Sequence, residues 1–324
     1  MYLPVYSKYF YSKLNEQEKE VYTIISNGWL SYEEQISVRV QSYLDFNKII
    51  KSICCDIPEL FYVDFSRITT SYVPGCATIF ARFIYVKSEY EAIVKRLKNI
   101  VSSIAEEACR FSDKEKYIHD YLAKNVSYSC DTSSTDAHSA KGALLDGCAV
   151  CEGYAKAFKL LCDAVKIPCI VLFGTAFNNA NEKENHVWNI IRQGTNKFHV
   201  DVTWNSSTYK DGYSLYYNVS DDFISEDHFW DRTLLPLCTE RGELEKSIVV
   251  IKGINSLDTV LKEKINSREN KFILYLTKKF ESTNEVLKLL GERLEANNLY
   301  NVSSFFVAYN QRLSCAVVSF DYRT

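Results

Sequence analysis

A chain of 324 residues, 47% of them hydrophobic and with a formal net charge of −3, holds material for roughly two or three folded units and lacks the basic excess that nucleic acid or an anionic membrane surface selects. No apolar run reaches the ~18 residues of a membrane span, and the start, Met1-Tyr2-Leu3-Pro4-Val5, has neither a basic lead nor an apolar signal core. Eleven cysteines, irregularly spaced in a chain too long to need disulfide staples, point to a reducing, cytoplasmic setting.

In chain order, residues 15–28 and 45–54 carry helical apolar spacing. A strand is expected over 60–65 after the Pro58 break, and another over 77–86 after a turn at Pro74-Gly75. Helical spacing returns over 88–108, and Ser112-Asp113-Lys114-Glu115 resembles a capping box that opens a helix through 123. Residues 1–108 are therefore expected to form an N-terminal accessory α/β region, with the chemistry in 109–240.

In that central stretch, Gly147-Cys148-Ala149-Val150-Cys151-Glu152-Gly153-Tyr154 enters an apolar run in which Tyr154, Phe158, Leu161 and Val165 recur at helical spacing. Cys151 then sits at a helix N-terminus, where unpaired N–H groups and the positive end of the macrodipole favour a thiolate. His186 opens His186-Val187-Trp188-Asn189-Ile190-Ile191, and Asp201 lies in Lys197-Phe198-His199-Val200-Asp201-Val202-Thr203-Trp204; both read as strands from their β-branched and aromatic content. The link Arg192-Gln193-Gly194-Thr195-Asn196 is short and Gly-centred, which predicts an antiparallel hairpin. Strands ~4.8 Å apart let a carboxylate reach an imidazole, fix its tautomer and leave the other ring nitrogen for the sulfur.

Residues 241–324 read as strand 247–252, helix 256–265, strand 271–277, helix 282–296 and a hairpin of 302–309 with 313–320, an order that suggests a small α/β accessory domain.

The same residues admit other readings. Cys148 and Cys151 form a CxxC, but no second CxxC or HxxxH completes a zinc set, so no metal and no cofactor is expected. A Cys148–Cys151 disulfide would switch the thiol off; a small buried residue in the turn is the plainer role for Cys148. His199, two residues before Asp201, offers that carboxylate a second imidazole. His119, His138 and His228 lack a partner pattern and read as surface or packing residues.

Val150-Cys151-Glu152-Gly153-Tyr154-Ala155-Lys156-Ala157-Phe158, His186-Val187-Trp188-Asn189 and His199-Val200-Asp201-Val202-Thr203-Trp204 together resemble the transglutaminase-like superfamily, above all its bacterial members in the papain-like clan. The resemblance runs over residues 113–221. It implies an α+β, papain-like or transglutaminase-like core in which a Cys on a helix packs on an antiparallel sheet carrying His and Asp. By position it puts the nucleophile at Cys151, the base at His186 and the orienter at Asp201. Tyr128 is a candidate second oxyanion donor or core filler, Trp188 a shield over His186, and Trp204 a wall of the acyl site or a packing residue. Lys141 and Asn205 depart from the family's common residues, which bears on substrate preference. The chemistry implied is thioester formation on a protein or peptide carbonyl, most simply a cysteine peptidase. A transglutaminase or deamidase acting on Gln, an amidase on another small amide, and a non-catalytic scaffold that keeps the fold are the alternatives. Oligomeric state is not legible.

Overall fold

The computed structural model describes residues 3, 5–40, 44–129, 131–177, 182–208 and 213–323. The N-terminal elements form where caps and apolar spacing coincide. Asn15 accepts from Glu18 N while the Glu18 carboxylate accepts from Asn15 N, a capping box that starts Glu16–Leu30 and turns Val21, Tyr22, Ile25 and Trp29 into the core. Asp45 caps Phe46–Asp56 by a single bond, its Oδ1 accepting from Lys48 N at 3.1 Å.

The strand expected over 60–65 is replaced by two short 3-10 turns, Pro58–Leu60 and Phe65–Arg67. Leu60, Phe61, Tyr62 and Val63 are all buried, so the apolar run reflects burial on every side rather than the alternation of a strand. The strand expected over 77–86 is only Cys76–Phe80, the centre of an antiparallel sheet whose outer strands, Gln35–Arg39 and Thr69–Val73, were not read from the sequence. In Gln35–Arg39 just Ile36 and Val38 face inward, too short a pattern to stand out.

Lys87–Ala108 and Lys114–Asn125 lead to the cysteine helix, Cys151–Ala164, in which every residue from Gly153 to Asp163 is buried. Against it lies an antiparallel sheet in the order His228–Phe229, Cys169–Phe177, Lys183–Gln193, Asn196–Val200, Tyr217–Val219. The predicted hairpin is present, with Gln193 paired to Asn196 and Gly194 at φ +61 in the turn. Its second strand ends at Val200. Residues read as strand through Trp204 instead form the helix Val202–Thr208, because Asp201 Oδ1 accepts from Trp204 N at 3.1 Å and caps it. The core is thus α+β, with the cysteine on a helix and the histidine on the sheet packed beside it.

The C-terminal order is as read: Val249–Ile251, Ile254–Asn266, Lys271–Leu276, Thr283–Ala296, Val302–Asn310 and Cys315–Tyr322. Its helices and one sheet face share a core that includes Leu257, Leu261, Leu290 and Val318. Ile273, Leu313, Cys315 and Val317 instead join Ile170, Leu172, Trp188 and Ile190 in one apolar cluster. This sheet and the central sheet therefore bury apolar surface against each other. Among the described residues no helix is long and apolar enough to cross a membrane.

Candidate active site

The cysteine helix starts at Cys151 because Val150 is extended and its N–H donates to Ala137 O at 3.0 Å. Gly153 is required one turn in: a Cβ there would lie 2.4 Å from Ala137 O. The strand carrying His186 is tied to this helix by Asn189, whose buried Nδ2 donates to Ala155 O at 3.0 Å and to Ile170 O at 3.2 Å.

His186 Nε2 donates to Asp201 Oδ2 at 2.7 Å, which leaves Nδ1 as the nitrogen for a thiol, and the Cys151 side chain lies close enough to the ring to act on it. Burial alone would lower the His186 pKa; the charge and hydrogen bond of Asp201, with the Cys151 contact, raise it to about 9. Burial likewise opposes ionisation of Asp201, but His186 and His228 hold its carboxyl well below the usual range.

The remaining predicted residues divide. Trp188 is almost wholly buried and stacks behind His186, ring centroids 5.8 Å apart, with its Nε1 donating to His199 Nδ1 at 3.0 Å. Gly174, paired with His186 across the sheet, leaves the space this indole fills: a Cβ there would lie 2.6 Å from the Trp188 ring. Trp188 therefore backs the imidazole and lines neither of the two cavities beside it. Trp204 packs 5.4 Å from His186 and, with Tyr128, His186, Thr203, Tyr216 and Arg312, borders a cavity of about 1110 Å³. Tyr128 is exposed on the short parallel pair of Ser127–Tyr128 with Cys148–Ala149 and is no core filler. A second cavity of about 750 Å³ carries Cys151, His138, Glu152 and Trp230, and His186 borders both. Cys148 and Cys151 are free thiols.

Three histidines read as surface or packing residues have partners. His228 is buried, with Nε2 3.2 Å from Asp201 Oδ2 and Nδ1 2.5 Å from Asp227 Oδ1. The second imidazole on Asp201 is thus His228; His199 Nε2 donates instead to Asp221 Oδ1 at 2.8 Å. His138 Nδ1 lies 2.9 Å from Glu152, which also pairs with Lys156 at 2.7 Å. Burial opposes the charge on Glu152, yet Lys156 and His138 bring its pKa down to about 2. His119 is buried and holds Asn205, whose Oδ1 accepts from Tyr216 N at 3.0 Å. Asn205, one of the two departures, is therefore a brace behind the Asp201 turn. Lys141, the other, pairs with Asp136 and Asp146 at 2.6 and 2.7 Å. An Asp-His dipeptide at 227–228 was the available signal for the missed pair; its distance in sequence from His186 hid it.

Two buried groups, His186 with Asp201 and His228, and His199 with Asp221 and Cys238, bring ligand-type atoms within 4.8 Å of one another. In both, the imidazoles and carboxylates already hydrogen-bond to each other.

Residues 98–202, a stretch that holds Cys151, His186 and Asp201, match the model of the Transglutaminase-like superfamily. The chain carries a transglutaminase-like domain. No curated protein matches the chain. Among solved structures, a Cytophaga hutchinsonii protein provisionally described as a cysteine protease is 16% identical, with 42% of this chain and 61% of that one covered at a TM-score of 0.28. A structure described as a TGase is 14% identical, covering 52% of this chain and 50% of the other, also at 0.28. The chain spans less than two thirds of either, and likenesses this loose carry no functional weight.

Proposed function

We propose that this protein breaks amide bonds through a thiol, as a cysteine peptidase, with Cys151 as nucleophile, His186 as proton carrier and Asp201 as orienter. The observation that carries the reading is the line from the half-buried Cys151 side chain through buried His186 to buried Asp201. The proton between the thiol and the imidazole rests on His186 Nδ1, and the Cys151 sulfur attacks the carbonyl. The imidazolium, held by Asp201, returns the proton to the departing amine as the thioester forms. The Cys151 backbone N–H, at the helix start, supports the oxyanion, with Tyr128 on the cleft side as a candidate second donor. Water then frees the acid. The domain boundaries that go with this reading are 1–108, 109–240 and 241–324, with the substrate a protein or peptide.

The test is a screen of the purified chain against denatured protein and peptide libraries, with and without a primary amine, read by mass spectrometry. New chain ends that vanish in Cys151→Ala support the peptidase reading. Incorporation of the amine at Gln would replace it with transfer, and activity that persists in Cys151→Ala would remove the thiol from the mechanism.

A further inference from the structure

Asp201 is a shared carboxylate. Its Oδ2 lies 2.7 Å from His186 Nε2 and 3.2 Å from His228 Nε2, and the two rings are 5.3 Å apart. His228 has a second carboxylate at its other nitrogen, Asp227 Oδ1 at 2.5 Å. Ionised carboxylates only accept hydrogen bonds, so a ring with one at each nitrogen carries two N–H groups and is an imidazolium. Asp227 is itself fixed: the Tyr216 hydroxyl donates to its Oδ2 at 2.7 Å, and Asn310 Nδ2 donates to the Tyr216 oxygen at 2.9 Å. A hydrogen-bonded line thus runs from the C-terminal hairpin to the imidazole beside Cys151.

We infer that His228 is a positioning residue: held as an imidazolium between Asp227 and Asp201, it shares the Asp201 carboxylate with His186 and loosens that carboxylate's grip on the His186 proton. The inference rests on the Cys151–His186–Asp201 reading above. A buried imidazole paired with a carboxylate of its own keeps its proton tightly, and proton return to a leaving amine becomes harder. A second cation on the same oxygen opposes this while leaving the orienting bond in place. The titratable groups facing His228 are Asp201, Asp227, His186, Tyr216 and His199. His199 is neutral there, since its Nδ1 accepts from Trp188. Trp188 and Trp204, with ring centroids 4.9 and 4.5 Å from that of His228, keep water off the pair. Burial would strip the proton from His228, and the bonds to Asp201 and Asp227 reverse that.

The test uses the full chain with ¹⁵N-labelled histidine, followed by NMR from pH 5 to 10, alongside the pH dependence of Cys151 alkylation. In the wild type, both ring nitrogens of His228 are expected to be protonated at pH 7. In His228→Gln the His186 pKa is expected to rise by about one unit or more, because a neighbouring positive charge is gone. The pH window of Cys151 reactivity should move to higher pH in the same sense. A singly protonated His228 at pH 7 overturns the inference, and so does an unmoved His186 pKa in folded His228→Gln. Should that variant not fold, the wild-type nitrogen signals alone decide. Wild-type Cys151 that reacts no faster than exposed Cys109 would bring down the thiol reading, while the His186 titration would still judge His228.

Discussion

The side-chain amide of Asn189 donates to the carbonyl of Ala155 at 3.0 Å, so the strand that carries His186 is tied by one buried residue to the helix that carries Cys151. Asn189→Leu keeps the volume and removes the donor. It is expected to cost roughly 1–3 kcal/mol in urea unfolding, from buried carbonyls left without this partner. Activity should fall further than stability, since the register between thiol and imidazole loosens. An unchanged turnover in a destabilised variant would show that packing alone holds that register.

Cys151 is expected to be the first thiol modified by iodoacetamide at neutral pH, ahead of exposed Cys109, because among the described cysteines it alone combines a helix start with a neighbouring imidazole. Cys55, Cys162, Cys169, Cys238 and Cys315 are buried and should react last. Mass spectrometry of partially labelled protein gives the order directly.

Asp201→Asn should retain more activity than His186→Ala, since the first perturbs tautomer and direction while the second removes the proton carrier. The two differ in stability as well. An amide at 201 keeps an acceptor for Trp204 N, but it removes the anion from between two buried imidazoles, so Asp201→Asn should unfold at lower denaturant than Cys151→Ala. Equal denaturation midpoints would mean that the imidazoles lose their charge when the carboxylate goes.

With its pKa raised from 6.5 to about 9, His186 contributes stability that is fully present below pH 6.5 and is lost as pH rises through 9. Glu152, lowered from 4.5 to about 2, contributes stability that is present above pH 4.5 and is lost as pH falls towards 2. Chemical unfolding across this range should therefore show both declines, the alkaline one absent in His186→Gln and the acid one reduced in Glu152→Gln. Any amide-bond activity should fall on the alkaline side near pH 9, where the imidazolium is lost.

Val317→Asp is expected to lower the stability of the whole molecule in a single unfolding transition, since Val317 sits in one cluster with Leu172 and Trp188 of the central sheet. An early, separate transition that leaves Cys151 reactivity intact would show instead that the C-terminal unit melts independently.

How far the fold is legible in the sequence depends on the length of each pattern. Long helices such as Lys87–Ala108 and the β-α-β-α-β-β tail repeat their period often enough to be read. Gln35–Arg39 has two inward residues and does not. Val202-Thr203-Trp204 is β-branched and aromatic, and composition favours a strand, but a single cap by Asp201 turns it into a helix. At the site, Cys151, His186 and Asp201 were marked by their local motifs. His228 gave no such mark, since its significance lies in a carboxylate 27 residues away in sequence.

The position of His186 on the border of two cavities has a kinetic consequence. If Cys151 holds an acyl group on its own side, the chamber beyond the imidazole stays open to the molecule that will take it. Departing amine and incoming acceptor then need not queue for the same space. With an added amine as acceptor, initial rates should show no dead-end inhibition at high acceptor, the inhibition that a single shared pocket would produce.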